Sequence, residues 1–297
     1  MAFGSLLFCV LSLNAKAPLI ASDLTPQIRP IESRQANQRL NNIRIPIEFN
    51  AVPGTQWAPR TVDPAATKTR NFYSLKIKPF IPIKLNNDWH ILSYTVLNFR
   101  SLPWGNPVLS FNPAGTPFIK GWTASSRTGL SSISPTFALS PNTGPDLVVG
   151  IGPSLSAPVG TYPLSTEQWS VGPAFFAAYQ QGRWLIRARV HNMWSFSGNQ
   201  DLVDTNILIL RPRVQYALDK HWFLVSSPLI TNDWTKPRGK GLMLPIGGGF
   251  GRNFRMGSTR VNASIQAYYN AIRPTIMHED LLGEWNVRTE INFILPK

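Results

Sequence analysis

Between Arg183 and Leu218 the sequence reads RWLIRARVHNMWSFSGNQDLVDTNILILRPRVQYAL, and its apolar residues recur at every second position. A β-strand points successive side chains to opposite faces, so this period fixes two faces at once. Trp184, Ile186, Ala188, Val190, Asn192, Trp194 and Phe196 share one face; Leu185, Arg187, Arg189, His191, Met193 and Ser195 share the other. Trp184 and Trp194 stand ten residues apart. At roughly 3.4 Å per residue and a tilt near 45°, that spacing is about 24 Å along a membrane normal, close to the apolar band of an outer-membrane barrel. After SGNQD the pattern returns, with Leu208, Leu210, Pro212, Val214, Tyr216 and Leu218 opposite Ile207, Ile209, Arg211, Arg213 and Gln215. The stretch predicts a transmembrane hairpin with four arginines turned to a lumen.

Runs of the same kind recur along the chain, at about 43–49, 73–83, 89–99, 129–140, 146–157, 168–180, 184–197, 204–218, 222–234, 242–255, 259–272 and 284–295. Short turns at 85–88, 140–145, 180–182, 219–221 and 256–258 alternate with longer loops at 51–70, 100–128, 158–167, 198–203, 235–241 and 273–283. Bacterial outer-membrane barrels have this layout, with the short turns periplasmic. The expected fold is all-β, an antiparallel transmembrane barrel of about 12 strands. Only 15% of residues are charged, against about 25% in soluble domains, and mean hydropathy is −0.08. Alternating strands need few charges and no long apolar helix.

Tryptophan marks strand ends. Trp89, Trp169, Trp184, Trp222 and Trp285 begin runs, while Trp194 and Trp234 stand near the ends of theirs. An amphipathic indole prefers the headgroup level, so these seven are expected to anchor the barrel at both membrane interfaces, among outer-membrane lipids. Prolines inside the runs (Pro46, Pro79, Pro153, Pro173, Pro212, Pro228 and Pro245) remove ladder hydrogen bonds and mark expected bulges.

The N-terminal apolar run Ala2–Leu13 and the small residues after it suggest an export signal over 1–22, then a short periplasmic lead-in over 23–40 and the barrel over 41–297. The one cysteine, Cys9, falls in that first segment, so neither a disulfide framework nor a thiol nucleophile is expected in the mature chain.

The segments WSVGPAFFAAYQ (169–180), HNMWSFSG (191–198), WFLVSSPLITNDW (222–234) and PIGGGFGRNFRMGSTRVNASIQAYYNAIRP (245–274) resemble a bacterial family of outer-membrane transporters. Its members often carry the label "neuromedin U" and are related to the barrels of the MetA-pathway of phenol degradation. The resemblance runs from about Asn42 to the C-terminus and implies a twelve-stranded outer-membrane barrel. It brings no catalytic or binding residues.

The net charge of +14 suggests an anionic partner. No basic cluster, zinc spacing or RNA-binding signature accompanies it, so nucleic acid is not expected. Basic residues in a pore select anions. The candidate lumen-lining residues are Arg187, Arg189, His191, Arg211, Arg213, Arg260, Gln266, Arg288 and Glu290. Glu284, Arg288 and Glu290 share a face that barrel closure should bring beside Arg44 and Glu48. The glycines of PIGGGFG suggest a bulge or close backbone approach rather than a phosphate loop.

No nucleophile–base pair, GxSxG, P-loop or HExxH is present. His278-Glu279-Asp280 lacks ligand spacing. No catalytic residue, metal or cofactor is expected. The functional expectation is passive passage or binding of small anionic or aromatic solutes. A plugged structural or surface-interaction barrel is the rival, with side chains or loop 100–128 closing the lumen. A soluble ligand-binding β-sandwich is the third reading. The oligomeric state is left open.

Overall fold

The computed structural model describes residues 40, 42–63, 66–144, 146–199, 201 and 204–296. The export signal and nearly all of the lead-in fall outside the described residues. Twelve strands follow one another: β1 (Asn42–Thr55), β2 (Arg70–Ile77 and Phe80–Lys84), β3 (Trp89–Phe111), β4 (Pro117–Pro141), β5 (Leu147–Pro158), β6 (Gln168–Gln181), β7 (Trp184–Gly198), β8 (Asn206–Ala217), β9 (Trp222–Ser226 and Ile230–Asp233), β10 (Leu242–Met256), β11 (Thr259–Ile272) and β12 (Trp285–Pro296). Each pairs antiparallel with its sequence neighbours. The last closes on the first, from Asn42↔Pro296 to Ala51↔Val287. One sheet thus wraps into a barrel. The only other pairing among the described residues is a two-residue hairpin, Thr275–Ile276 with Glu279–Asp280, too small to be the second layer of a sandwich, which corrects the third reading.

Strand parity sorts the side chains. Ile151 is 65% exposed, and Phe137, Phe175, Ile186, Leu224, Ile246, Phe250 and Ile265 are also exposed. The alternate positions, among them Glu48, Ser74, His90, Thr136, Ser154, Ser170, Gln266 and Arg288, are buried. Apolar outside and polar inside is the inverse of a soluble barrel, and it is what a hydrocarbon solvent selects.

Prolines act in two ways. Pro79 and Pro228 fall in the interruptions of β2 and β9, and Pro245 sits at a register shift against β11. Pro46, Pro153, Pro173 and Pro212 stay inside the ladder, Pro153 directly opposite Pro173. Half of a strand's N–H groups face each neighbour, so a proline removes one bond from one ladder only.

The segment 100–128 is not a loop. β3 and β4 remain paired beyond the barrel from Arg100↔Gly129 to Phe111↔Pro117, with a register shift between Val108 and Leu109. They form a two-stranded ribbon. Pro103, Pro107, Pro113 and Gly105 read as loop signals, but both outer edges of such a ribbon are free of ladder partners, where proline is tolerated. Trp57 packs against the ribbon at Gly105, where a Cβ would come within 2.5 Å of its ring, and stands 5.1 Å from Trp122.

Two loops on the same end dock on each other. Gln56 N–H donates to the Leu281 carbonyl (2.8 Å), Arg60 N–H donates to Glu279 Oε1 (3.1 Å), and Lys68 Nζ pairs with Asp280 (2.8 Å). Arg273 also pairs with Asp280. Partial burial opposes ionisation of Asp280, but the Lys68 hydrogen bond and charge, with Arg273, hold its carboxyl below the ordinary aspartate range. A depressed folded-state pKa stabilises fully above the unfolded-state value and is lost as pH falls through the lower, folded one. Intrinsic-rate-corrected hydrogen exchange of loop 56–69 should therefore stay protected from neutral pH down to about 5 and loosen below about 3.5. The pair is part-exposed, so the expected loss is at most about 1 kcal/mol. Protection that persists at pH 2 would show that other contacts hold the loops.

Candidate functional site

Halfway along the barrel the interior is crossed by a belt of ions. Glu48 of β1 and Glu290 of β12 face each other across the closing seam, and both are buried. Lys78, from the interruption of β2, reaches Glu48 at 2.7 Å and Glu290 at 3.2 Å. From β8, Arg211 pairs with Glu48 and Arg213 with Glu290 at 2.5 Å. Two carboxylates opposite one another would repel. Here cations from β2 and β8 bridge them, and the contacts to β8 span the lumen.

The break in β9 is used by the same belt. Ser227 leaves the ladder, and its backbone turns inward: N–H donates to the Tyr268 hydroxyl (2.6 Å) and the carbonyl accepts from Arg288. Arg288 is 1% exposed. Its Nε donates to Asn50 Oδ1 (2.8 Å), whose amide donates to Glu48 (3.0 Å), and its guanidinium lies 4.8 Å from the Tyr268 ring centre. Tyr268 in turn donates to Gln266 (2.6 Å). A strand interruption in a membrane wall is tolerated when interior groups satisfy the freed backbone, and Arg288 and Tyr268 do so here.

On the turn side of this belt lies a cavity of about 250 Å³, whose lining runs from Lys78, Ser227 and Glu290 at mid-barrel to Leu40, Asn42 and Ile294 at the strand ends. One wall is cationic. Arg187 is directly opposite Arg213, and Arg189 directly opposite Arg211, so β7 and β8 present a two-by-two block of guanidinium groups. Arg44 and Arg260 add to the lining; together with Lys78 there are seven basic side chains and one acidic one, Glu290. Apolar lining stands beside the cations: Phe80 on β2, Leu92 and Tyr94 on β3, Phe176 on β6 directly opposite Arg189, and Leu185 on β7 itself. Arg189 lies over the Tyr94 ring at 4.2 Å, and Tyr94 meets Phe176 edge-on at 6.0 Å.

Of the expected lumen residues, Arg187, Arg189, Arg211, Arg213, Arg260 and Glu290 line this cavity. His191, Gln266 and Arg288 point inward but are packed, 8%, 1% and 1% exposed, and line no open space. Glu284 precedes β12, where it pairs with Arg273 at 3.6 Å, and does not join the interior face. Lys78, Tyr94, Phe80 and Phe176 were not singled out from the sequence. Parity already put Lys78 and Phe80 on the inward face of β2; nothing local showed which interior residues would meet across the lumen. Gly251 is a close-approach glycine: a Cβ there would lie 2.3 Å from the Phe223 ring, which is buried beneath it. The seven tryptophans lie on the outer surface in two belts. Trp89, Trp184 and Trp222 are at the turn end and Trp169, Trp194, Trp234 and Trp285 at the loop end, all 40–56% exposed. Some meet cross-strand aromatics: Trp184 lies tilted against Tyr216 (4.7 Å) and Trp285 meets Tyr269 edge-on (5.4 Å).

The family model described as "Putative MetA-pathway of phenol degradation" matches residues 73–259, more than half of the chain. The chain belongs to this family. No curated protein matches it. Among solved structures, it resembles an outer membrane channel from Pseudomonas putida F1, 10% identical with a TM-score of 0.55, over 86% of this chain and 94% of that one. The NanC porin is 10% identical with a TM-score of 0.48, over 84% of this chain and 98% of that one. At such identity the likeness is one of fold, and the fold is that of bacterial outer-membrane barrels. The family member described here is an outer-membrane protein.

Proposed function

We propose that this barrel is a passive outer-membrane channel for small solutes, with a preference for anionic and aromatic ones. The observation that carries the reading is the cavity lined by guanidinium groups together with aromatic and aliphatic side chains. A basic lining raises the local concentration of anions and lowers that of cations. The description of the P. putida barrel as an outer membrane channel, and of the family by phenol degradation, support the same reading. The two tryptophan belts serve as interfacial anchors in this reading, with the short turns toward the periplasm.

The ion belt favours a second reading, a barrel whose lumen is closed and whose role is structural or at the surface. Planar-bilayer recording of the refolded protein separates the two. Anion-preferring current is expected, and its preference should fall in Arg187→Ala and in Arg260→Ala. One unit charge at roughly 6 Å in a water-filled path is worth about 0.7 kcal/mol, or about threefold in the permeability ratio per arginine. Stable insertion without current would establish the closed barrel instead.

A further inference from the structure

We infer that the cavity is a binding site for a small carboxylate with a single apolar ring, the acid group held by Arg189 and the ring by Phe176, Phe80 and Leu92. The inference deepens the channel reading and takes its anion preference from it; the site itself rests on the geometry of the cavity.

Three observations meet here. First, one cation of the block, Arg189, is left without an internal counter-ion among the described residues. Arg211 and Arg213 are held by Glu48 and Glu290, whereas Arg189, directly opposite Arg211, makes no ion pair among the described residues and packs on the face of Tyr94. Like charges directly across a ladder repel, and an anion between them removes that cost. A guanidinium is planar and offers paired N–H donors that match a carboxylate in two parallel bonds.

Second, an apolar stretch of wall lies beside these groups, with Phe176 of β6 directly opposite Arg189 and Tyr94, Leu92 and Phe80 on β3 and β2. Leu92 is buried against the strip at Gly150, where a Cβ would sit 3.2 Å from its side chain. That wall suits a ring rather than a polyhydroxylated sugar acid, whose hydroxyls would lose water without finding partners. Third, the volume of about 250 Å³ is below the roughly 300–1,000 Å³ of sites for drug-sized ligands. A single ring with one carboxylate fits within it.

The test is calorimetric titration of the whole refolded barrel in detergent micelles with benzoate. Benzyl alcohol serves as the uncharged ring and acetate as the acid without a ring. Benzoate should bind, and both comparators should bind at least about tenfold more weakly, each lacking one half of the contact. Arg189→Gln should weaken benzoate by about tenfold and leave benzyl alcohol unchanged, as expected for one charge-assisted bidentate contact. Phe176→Ala should weaken benzoate and leave acetate unchanged. Heat-modifiable electrophoretic mobility reports folding of each variant. If Arg189→Gln does not fold, Arg189→Lys, which keeps the charge but loses the fork, should still weaken benzoate. Equal binding of benzoate and benzyl alcohol, or no saturation by benzoate, would overturn the site. Saturating benzoate binding in a barrel that passes no benzoate current would leave the site standing and overturn the channel. Benzoate current without saturable binding would do the reverse.

Discussion

Glu48→Gln should lower the unfolding free energy of the barrel by about 3 kcal/mol, near the lower end of what removal of one member of a buried ion network costs. Glu48 is fully buried and serves four partners at once: Lys78 at 2.7 Å, Arg211, the Asn50 amide at 3.0 Å and, at longer range, Arg288 at 3.8 Å. The belt holds four cations against two carboxylates, Glu48 and Glu290. Taking away the charge of Glu48 leaves Lys78, Arg211 and Arg288 facing one another across the seam, with Glu290 alone. The loss arises from stranded cations rather than from one missing contact, so it should be non-additive. Glu48→Gln combined with Arg211→Gln should recover part of it, with a coupling of about 1–3 kcal/mol. Urea unfolding from lipid vesicles, followed by tryptophan emission, measures both. A change of less than about 0.5 kcal/mol in the single variant would mean that water, not Glu48, solvates these cations.

Ile151→Arg should cost about 2–4 kcal/mol in a bilayer, the penalty for arginine on a barrel's lipid face at the midplane. Ile151 is the fifth residue of β5, near the middle of the strand, and is 65% exposed. Its cross-strand partners are Leu139 and Phe175, both outward and exposed. On a water-exposed surface the same substitution would stay within about 0.5 kcal/mol. The comparison thus reads the solvent around the barrel directly. The measurement is the folded fraction in lipid vesicles against urea, beside Ile151→Leu. A loss under 0.5 kcal/mol would remove this face from the hydrocarbon.

Much of the fold was legible because its rule is local. Period two in RWLIRARVHNMW is enough to say that Arg187 and Arg189 point one way and Ile186 and Val190 the other, and the ladders of β7 and β8 keep that assignment. Alternating turn and loop lengths gave the strand order, since hairpin neighbours pair. The rule failed where a residue type has two meanings. Pro103, Gly105 and Pro107 signal a loop when an interior strand is assumed, but a ribbon with free edges accepts them. Parity placed His191, Gln266 and Arg288 on inward faces, where they are buried, yet parity does not tell an open lumen from a packed one.

By itself the sequence determined where the twelve barrel-wall strands lie, which face of each turns outward, and that tryptophan stands at their ends. All of these follow from the alternation of side chains along one extended chain. Only the tertiary structure decided that Glu48 would face Glu290, that both would be bridged across the lumen by β8, and that the break at Ser227 would open its backbone to Arg288. Those meetings depend on the register at which β1 closes on β12 and on strand tilt and shear, which are properties of the closed ring and not of any segment.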